Sequence, residues 1–462
     1  MAGAMKHLPQ VRISLSVAGI CATAFLLLPT SAFTTFGFDL DLTQRDARVF
    51  DNFTDATAND NTTPHSNWPG YTGVEQAAWK ALAEWGSELH GDGSGDPSQP
   101  GNVGSGGANF DVTWQGNAPN AGGVSDNVIS ETTGCSGGVL SFIESGSNGW
   151  RIRLCDQVTW DDGPGDPVPG AMDIQGIITH EYGHILGLGH SAVAGATMSP
   201  SVSGTGVSAR SLSADDIGGI QFIYGAMGAS KPHVDAVLGS TTLTIVGKNF
   251  SASGNEVWFT QAGVNTTGDP VKLTGIVSSA GGTVITIPAP AAAGPGDVLV
   301  RKAGAGNDAL SNAYPWDPNA CPQPADYCVG KVNSQGCTPS IGFAGSPSAS
   351  SPNPFLITAE QVINNKTGFL IYGFTPASTP FQGGTLCFSG QLKRTTVQNS
   401  GGNPPPNDCS GTYSFDFNAR IQSGLDPNLV VGKNVYAQYY MRDPASSPAV
   451  GLSDALAFTV CP

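Results

Sequence analysis

The chain has 462 residues, a length typical of about two to four domains, and 39% of them are hydrophobic, too many for a disordered chain. With 62 glycines, 33 prolines and only 12% charged residues, the composition favours turn-rich β structure over long helices. The formal net charge of −16 repels phosphate backbones and argues against nucleic acid as a partner.

The first 32 residues have the pattern of a secretory signal peptide. Lys6 and Arg12 are their only charged residues, an apolar run follows over Ile13–Leu28, and small residues lead to a cleavage site after Ala32. The alternative is a membrane anchor, but the run is shorter than the ~20 apolar residues that a span requires. We therefore expect a secreted, extracellular protein with no membrane span once the signal peptide is removed.

Eight of the nine cysteines follow the predicted signal peptide, and an even number of cysteines in an exported chain predicts disulfides. Cys135 and Cys155 are the only two in the first part of the mature chain, so we expect them to pair. The other six leave several pairings open: Cys321, Cys328, Cys337, Cys387, Cys409 and Cys461.

Residues 33–225 form the first predicted domain, which mixes strands and helices. Four strands are predicted, at Phe36–Val49, Phe110–Trp114, Val139–Ile143 and Trp150–Leu154. Thr72 and Glu75 have capping-box spacing before a first helix. Its apolar stripe consists of Val74, Ala78, Leu82, Trp85 and Leu89. Asp173 and Ser213 are favourable N-cap residues for a second and a third helix.

Two further domains are predicted, over residues 231–316 and 317–462. Short alternating runs in the first of them are typical of a small β-sandwich: Thr242–Val246, Glu256–Phe259, Thr283–Ile287 and Asp297–Arg301. Residues 317–462 are again strand-like, and the Ser- and Pro-rich stretch 346–354 predicts a flexible excursion. The expected fold is an α+β domain followed by two all-β, sandwich-like domains.

The segment from His180 to His190 has the spacing of a zinc site. Residues four apart lie one turn apart on a helix, so His180 and His184 can bind one ion. Glu181 is rotated by about 100° from His180, which places its carboxylate beside the metal without ligating it. Gly187 ends the helix, and the turn returns His190 as the third ligand, leaving the fourth position of Zn²⁺ to water.

The predicted chemistry is hydrolysis of a peptide bond. Zinc lowers the pKa of a bound water toward ~7, and a neighbouring carboxylate can take the proton and deliver it to the leaving amine. Glu181 is therefore the expected general base. The isolated residues His65, His90 and His233 lack such spacing, and we expect surface or structural roles for them.

The motif from His180 to His190 resembles that of the metzincin peptidases and, within them, of the matrixins. Met198 resembles the family's Met-turn, and Leu212–Gly225 resembles its closing helix. The resemblance covers the first domain only and implies a metzincin-like catalytic domain with a twisted sheet above the zinc helix and the cleft between them. The family's cysteine switch and second zinc site have no counterpart in this sequence, which leaves the latency mechanism open.

A glycine- and proline-rich loop of the first domain contains three carboxylates, Asp161, Asp162 and Asp166. They are candidate calcium ligands, since calcium prefers oxygen ligands. The alternative is a solvated acidic turn with no ion.

The later domains carry weaker resemblances. Residues 231–316 resemble an IPT/TIG domain, an immunoglobulin-like sandwich, in the runs Leu243–Phe250 and Val298–Val300. Residues 317–462 resemble a disulfide-bonded β module of secreted bacterial proteins in their ending, Tyr436–Cys461. Neither domain has a catalytic constellation, so we expect them to be spacers or to bind a surface or matrix target.

The predicted function is that of a secreted zinc endopeptidase acting on extracellular proteins or peptides. One alternative is an extracellular adhesion protein with an inactive peptidase domain, against which the intact Glu181 argues. Another is zinc-dependent hydrolysis of a different substrate. We also expect residues 33–225 to fold and act alone, because the ligands, the base and the Met-turn all precede Gly225.

Overall fold

The computed structural model describes residues 32–91, 99, 102–146, 148–202, 204–304 and 306–462. The predicted signal peptide, residues 1–32, lies outside the described residues except for Ala32. Among the described residues, no helix is both long and apolar enough to cross a membrane.

Five strands of the first domain form one sheet in the order β2-β1-β3-β5-β4, in which only the edge strand β4 runs antiparallel to its neighbour. They are β1 Asp46–Val49, β2 Thr113–Asn117, β3 Val128–Thr132, β4 Ser141–Ser145 and β5 Trp150–Cys155. Two short strands, β6 Trp160–Asp161 and β7 Met172–Asp173, pair with each other.

The sequence prediction was wrong for two strands of the five-stranded sheet, and it did not include β6 or β7. It missed β3 because Ser130 and Glu131 are buried polar residues, so the strand lacks an apolar run. It also began the first strand at Phe36, whereas the strand begins at Asp46. Phe36 lies outside the sheet because its N–H donates instead to the carbonyl of Gly187, at 2.7 Å.

The described part of residues 33–225 contains three α-helices, α1 Gly73–Ala83, α2 Ile174–Ile185 and α3 Ala214–Tyr224, and a 3₁₀ turn at Val207–Arg210. Asp173 caps α2 as predicted, since its carboxylate accepts from the N–H of Gly176 at 2.7 Å. Ser213 and Asp216 form a full capping box at α3.

The predicted capping box at α1 is not formed. The Thr72 side chain makes no capping hydrogen bond, and Asn59 accepts from the N–H of Val74 at 3.1 Å instead. Leu89, which the sequence assigned to the apolar stripe of α1, follows the end of the helix and is exposed.

The core of the first domain lies between the sheet and the helices α1 and α2, which pack against each other. Its largest fully buried side chains are tryptophans: Trp79, Trp85, Trp114, Trp150 and Trp160. The rings of Trp79 and Trp114 stack with centroids 5.5 Å apart, joining α1 to β2. Each ring buries about 150–250 Å², so these five contribute much of the apolar burial that fixes α2 under the sheet.

Residues 231–316 fold into two sheets that share one apolar cluster. The four-stranded sheet has the order β11-β10-β13-β14 and the three-stranded sheet has the order β12-β9-β8. The strands are β8 His233–Leu238, β9 Thr242–Lys248, β10 Asn255–Gln261, β11 Val271–Ile276, β12 Val284–Pro288, β13 Ala293–Arg301 and β14 Tyr314–Trp316, with a 3₁₀ turn at Asn307–Ala309. All four runs predicted from the sequence overlap strands.

Residues 317–462 are β-rich, with a six-stranded sheet, a three-stranded sheet and a hairpin. The strands are β15 Ala325–Tyr327, β16 Ser340–Ala344, β17 Leu356–Val362, β18 Thr367–Gly373, β19 Thr375–Phe381, β20 Gly384–Ser389, β21 Lys393–Arg394, β22 Gln398–Asn399, β23 Gly411–Asp416, β24 Asn434–Arg442 and β25 Val450–Thr459. The prediction of an all-β domain was wrong in one respect, because α4 spans Phe417–Gln422.

Three disulfides hold this last region together: Cys321–Cys461, Cys328–Cys387 and Cys337–Cys409. The stretch 346–354, predicted to be a flexible excursion, is anchored. The N–H of Ser348 donates to the side chain of Asn418 at 2.8 Å, and its hydroxyl donates to the carbonyl of Pro462 at 2.6 Å.

Polar groups join the first domain to residues 231–316. Lys231 and Asp111 form a buried ion pair at 2.9 Å. The Thr260 hydroxyl donates to the carbonyl of Trp114 at 2.7 Å, and the N–H of Trp114 lies 3.4 Å from the buried carboxylate of Asp297. Because these groups are removed from water, the two regions depend on each other for their hydrogen bonds.

Candidate metal centre

The helix α2 and the turn after it bring three imidazoles together. His180 and His184 lie one turn apart on α2, and the helix ends before Gly187. Gly187 has a φ of 98°, and a Cβ there would lie 2.3 Å from the carbonyl oxygen of Phe38, so only glycine fits this turn. The turn returns His190, and one ring nitrogen from each histidine lies within 4.8 Å of the others.

Two of the three rings are oriented by backbone carbonyls. Nδ1 of His180 lies 2.6 Å from the carbonyl oxygen of Thr197, and Nδ1 of His184 lies 2.9 Å from that of Leu188. A proton on Nδ1 in each ring leaves Nε2 free to bind a metal. Burial lowers the pKa of both His180 and His184, which favours the neutral imidazole that metal binding requires.

Glu181 is buried beside this triad. Its Oε1 accepts a hydrogen bond of 2.6 Å from the hydroxyl of Ser141, on the edge strand β4. Burial raises the pKa of Glu181, and the Ser141 hydrogen bond opposes that rise. The sequence prediction missed Ser141, because a serine 40 residues before Glu181 carries no local signal of this contact.

Met198 lies beneath α2 with 1% of its surface exposed. Asp216 holds the turn, accepting from the N–H groups of Thr197 at 2.8 Å and Met198 at 3.1 Å. The N–H of Ser191, directly after the third histidine, donates to the carbonyl of Met198 at 2.7 Å. Asp216, a member of the α3 capping box, therefore fixes the methionine turn, and this turn holds the chain that follows His190.

The first described residues brace the third histidine. Thr34 donates through its hydroxyl to the carbonyl of His190 at 2.9 Å, and its own carbonyl accepts from Gly189 at 2.8 Å. The backbone nitrogen of Phe33 donates to Asp215 at 3.2 Å, and Asp215 also accepts from the hydroxyl of Ser191, directly after His190, at 2.6 Å. His190 is exposed, so core packing does not hold it in place. These hydrogen bonds therefore fix the backbone that carries the His190 imidazole.

A cleft of about 640 Å³ lies between β4 and α2 and contains the triad and Glu181. Its apolar lining includes Leu140, Ile143, Met172, Ile177 and Val202. Its size and mixed lining fit a peptide side chain beside the polar centre.

The candidate calcium ligands are not gathered into one cluster. Asp161 accepts from the N–H groups of Gly163 and Val168, both at 2.9 Å, so both its oxygens hold the loop. Asp162 is buried, which raises its pKa to about 7, while Asp166 is exposed. Within the described ranges, the histidine triad is the only group of three or more potential ligands, so calcium stays a prediction.

Cys135 and Cys155 form a disulfide with their Cα atoms 5.9 Å apart. It links the end of β5 to the segment that leads into β4. The N–H of Cys155 donates to the carbonyl of Leu140 at 2.9 Å, directly before Ser141. This covalent link therefore lies close to the strand that reaches Glu181.

The remaining histidines make structural contacts. His90 is buried and stacks on Trp68 with ring centroids 4.3 Å apart. Nδ1 of His65 accepts from the N–H of Asn67 at 3.1 Å. His233 bonds to Glu88 and Asp235. None of these three belongs to the triad.

Comparison with known proteins finds similarity in the same region of the chain. Residues 96–225 match the matrixin family. The chain is 46% identical over 71 residues to metalloendoproteinase 5-MMP of Arabidopsis thaliana, covering 14% of this chain and 19% of that protein. It is 51% identical over 49 residues to matrilysin of Rattus norvegicus, covering 11% and 18%.

The chain thus spans about a fifth of the length of these relatives. The residues that match the matrixin family include the histidine triad of His180, His184 and His190. The family match ends at residue 225, before the two β-rich regions.

Proposed function

We propose that this protein is a secreted zinc endopeptidase that hydrolyses peptide bonds of extracellular proteins. The observation that carries the proposal is the group of three imidazole nitrogens, within 4.8 Å of one another, beside a buried carboxylate in an open cleft. His180, His184 and His190 would hold Zn²⁺, and three nitrogen ligands leave one position for water.

Glu181 is the proposed general base and acid. Bound zinc would act as a Lewis acid and lower the pKa of water at the open position. Glu181 would accept a proton from the water that attacks the peptide carbonyl and would then donate this proton to the leaving amine. A buried carboxylate suits this role, because burial favours the protonated form that must follow.

The direct test uses the full chain on a denatured protein substrate. Wild type should cleave it, lose activity with a chelator and regain activity with added zinc. Glu181→Ala should bind zinc normally but lose about 10²–10⁴-fold in kcat, the usual contribution of a general acid–base group. His190→Ala should lose zinc as well as activity. Equal turnover by Glu181→Ala and wild type would refute the base assignment.

The proposal also includes export from the cell, the domain boundaries and a role for the two β-rich domains. The four disulfides support export to an oxidising compartment. We place the domains at 33–225, 231–316 and 317–462, with 231–316 an IPT/TIG-like sandwich because its two sheets share one apolar cluster. These β-rich domains would bind a surface or matrix target and raise the local substrate concentration.

A further inference from the structure

Ser141 contacts the carboxylate of Glu181 from the strand that forms the opposite wall of the cleft. Its hydroxyl donates to Oε1 at 2.6 Å, a short distance typical of a hydrogen bond to a charged acceptor. Ser141 is half-buried and lines the cleft together with Glu181, His180 and His184. The contact therefore lies at the reacting centre and not at the rim of the domain.

The backbone around Ser141 is held at two points by the neighbouring strand β5. β4 pairs with β5 in antiparallel register, with Ser141 opposite the buried Leu154. The preceding carbonyl, of Leu140, accepts from the N–H of Cys155, which is tied by a disulfide to Cys135. A hydroxyl fixed in this way can hold a carboxylate at a constant position, as a mobile surface serine could not.

We infer that Ser141 is a positioning residue for the general base, an inference that rests on the proposed peptidase function. By occupying Oε1, Ser141 orients the carboxylate so that Oε2 receives the proton of the attacking water. A glutamate side chain has several rotatable bonds. Fixing the side chain before the reaction removes the entropic cost of orienting its carboxylate for the proton transfer. The hydroxyl itself transfers no proton and forms no bond with the substrate.

The experiment compares kcat, KM and zinc content of the full-length wild type, Ser141→Ala and Ser141→Thr on one peptide substrate. Ser141→Ala should lower kcat about ten- to thirtyfold, as expected for losing one hydrogen bond to a charged group, with KM and zinc content unchanged. Ser141→Thr keeps the hydroxyl on a residue that strands accept, and should restore most of kcat.

Ser145→Ala is the matched control, since Ser145 lies on the same strand and is exposed. It should match wild type in kcat. If Ser141→Ala has a kcat within twofold of wild type, or a loss seen only in KM, the inference is wrong. If zinc-loaded wild type shows no chelator-sensitive activity, the proposed function itself fails, which is a separate outcome.

A double-mutant cycle separates positioning from a general effect on the fold. Glu181→Asp shortens the side chain by one methylene, so its carboxylate no longer reaches Ser141. Adding Ser141→Ala to Glu181→Asp should then change kcat by less than about twofold. A further ten- to thirtyfold loss in that background would mean that Ser141 acts independently of Glu181 and would overturn the inference.

Discussion

At the scale of single residues, Arg210 connects the loop at residues 164–165 to the start of α2, the helix that carries His180 and His184. Its guanidinium makes two hydrogen bonds to Asp173, the N-cap of α2, at 2.6 and 2.9 Å. It also donates to the carbonyls of Pro164 and Gly165, at 2.7 and 2.9 Å. Arg210 and Asp173 are both buried, so neither can exchange its partner for water.

Arg210→Ala should therefore destabilise the protein by about 3–5 kcal/mol, because it leaves the Asp173 charge buried and without its main partner. The matched control is Arg301→Ala, which breaks a half-exposed pair with Glu256 and should cost at most ~1 kcal/mol. Urea unfolding followed by tryptophan fluorescence measures both. Similar unfolding midpoints for the two variants would contradict the assigned role.

His233 predicts a dependence of stability on pH. Burial lowers its pKa, but its bonds to Asp235 and Glu88 outweigh burial and raise the pKa to about 9. A histidine with a raised pKa stabilises the folded state fully below its unfolded pKa, about 6.5, and this contribution is lost as the pH rises through about 9.

The stability difference between wild type and His233→Gln should accordingly be largest near pH 6 and should vanish near pH 10. The free energy of unfolding, measured in urea at both pH values, tests this. The same difference at the two pH values would show that the His233 charge makes no contribution.

At the scale of elements, the packing of α2 on the Met198 turn depends on a glycine. Gly183 lies inside α2, where glycine costs about 1 kcal/mol relative to alanine. A Cβ at this position would lie 2.3 Å from Sδ of Met198 and 2.8 Å from the ring of Trp85. Because helix, turn and core approach so closely here, there is no room for alanine, although alanine is the better helix former.

Gly183→Ala should lower the melting temperature by several degrees and weaken zinc binding, because the turn must move away from α2. Gly218→Ala, in α3, is the control, since its Cβ would meet Phe33 at an ordinary distance of 3.6 Å. The control should be neutral or gain up to ~1 kcal/mol. Calorimetry and metal analysis measure both effects, and a Gly183→Ala protein as stable as Gly218→Ala would refute the packing argument.

At the scale of the whole molecule, the first domain shares buried polar groups with residues 231–316. The sequence alone predicts that residues 33–225 are independent, because they hold the complete metal centre. A cut after residue 225 would, however, remove Lys231 from the buried Asp111 and Asp297 from the N–H of Trp114.

We therefore expect the fragment 33–225 to be less stable than the fragment 33–316 by about 1–3 kcal/mol, because it loses the Lys231–Asp111 and Thr260–Trp114 contacts, each worth about 0.5–1.5 kcal/mol net. Thermal unfolding of the two zinc-loaded fragments is the measurement. Asp111→Asn in 33–316 should reproduce part of the loss. Equal melting temperatures would mean that the interface adds no stability to the first domain.

Local patterns in the sequence were sufficient to predict the histidine cluster and the caps of two helices. The spacing of His180, His184 and His190 predicted one cluster because the helical period and a glycine turn act over a few residues, and the structure gathers the three rings. The caps at Asp173 and Ser213 were predicted for the same reason. Hydrogen bonds between neighbours in sequence require no knowledge of topology.

Only the tertiary structure decided the contacts that surround the cluster. Ser141 reaches Glu181 across 40 residues, and β3 is a strand despite its buried polar residues. The ion pair between Asp111 and Lys231 connects two regions that are far apart in the chain. These contacts depend on strand order and on the packing of sheet against helix, in which many distant residues act together. No short stretch of sequence contains that information.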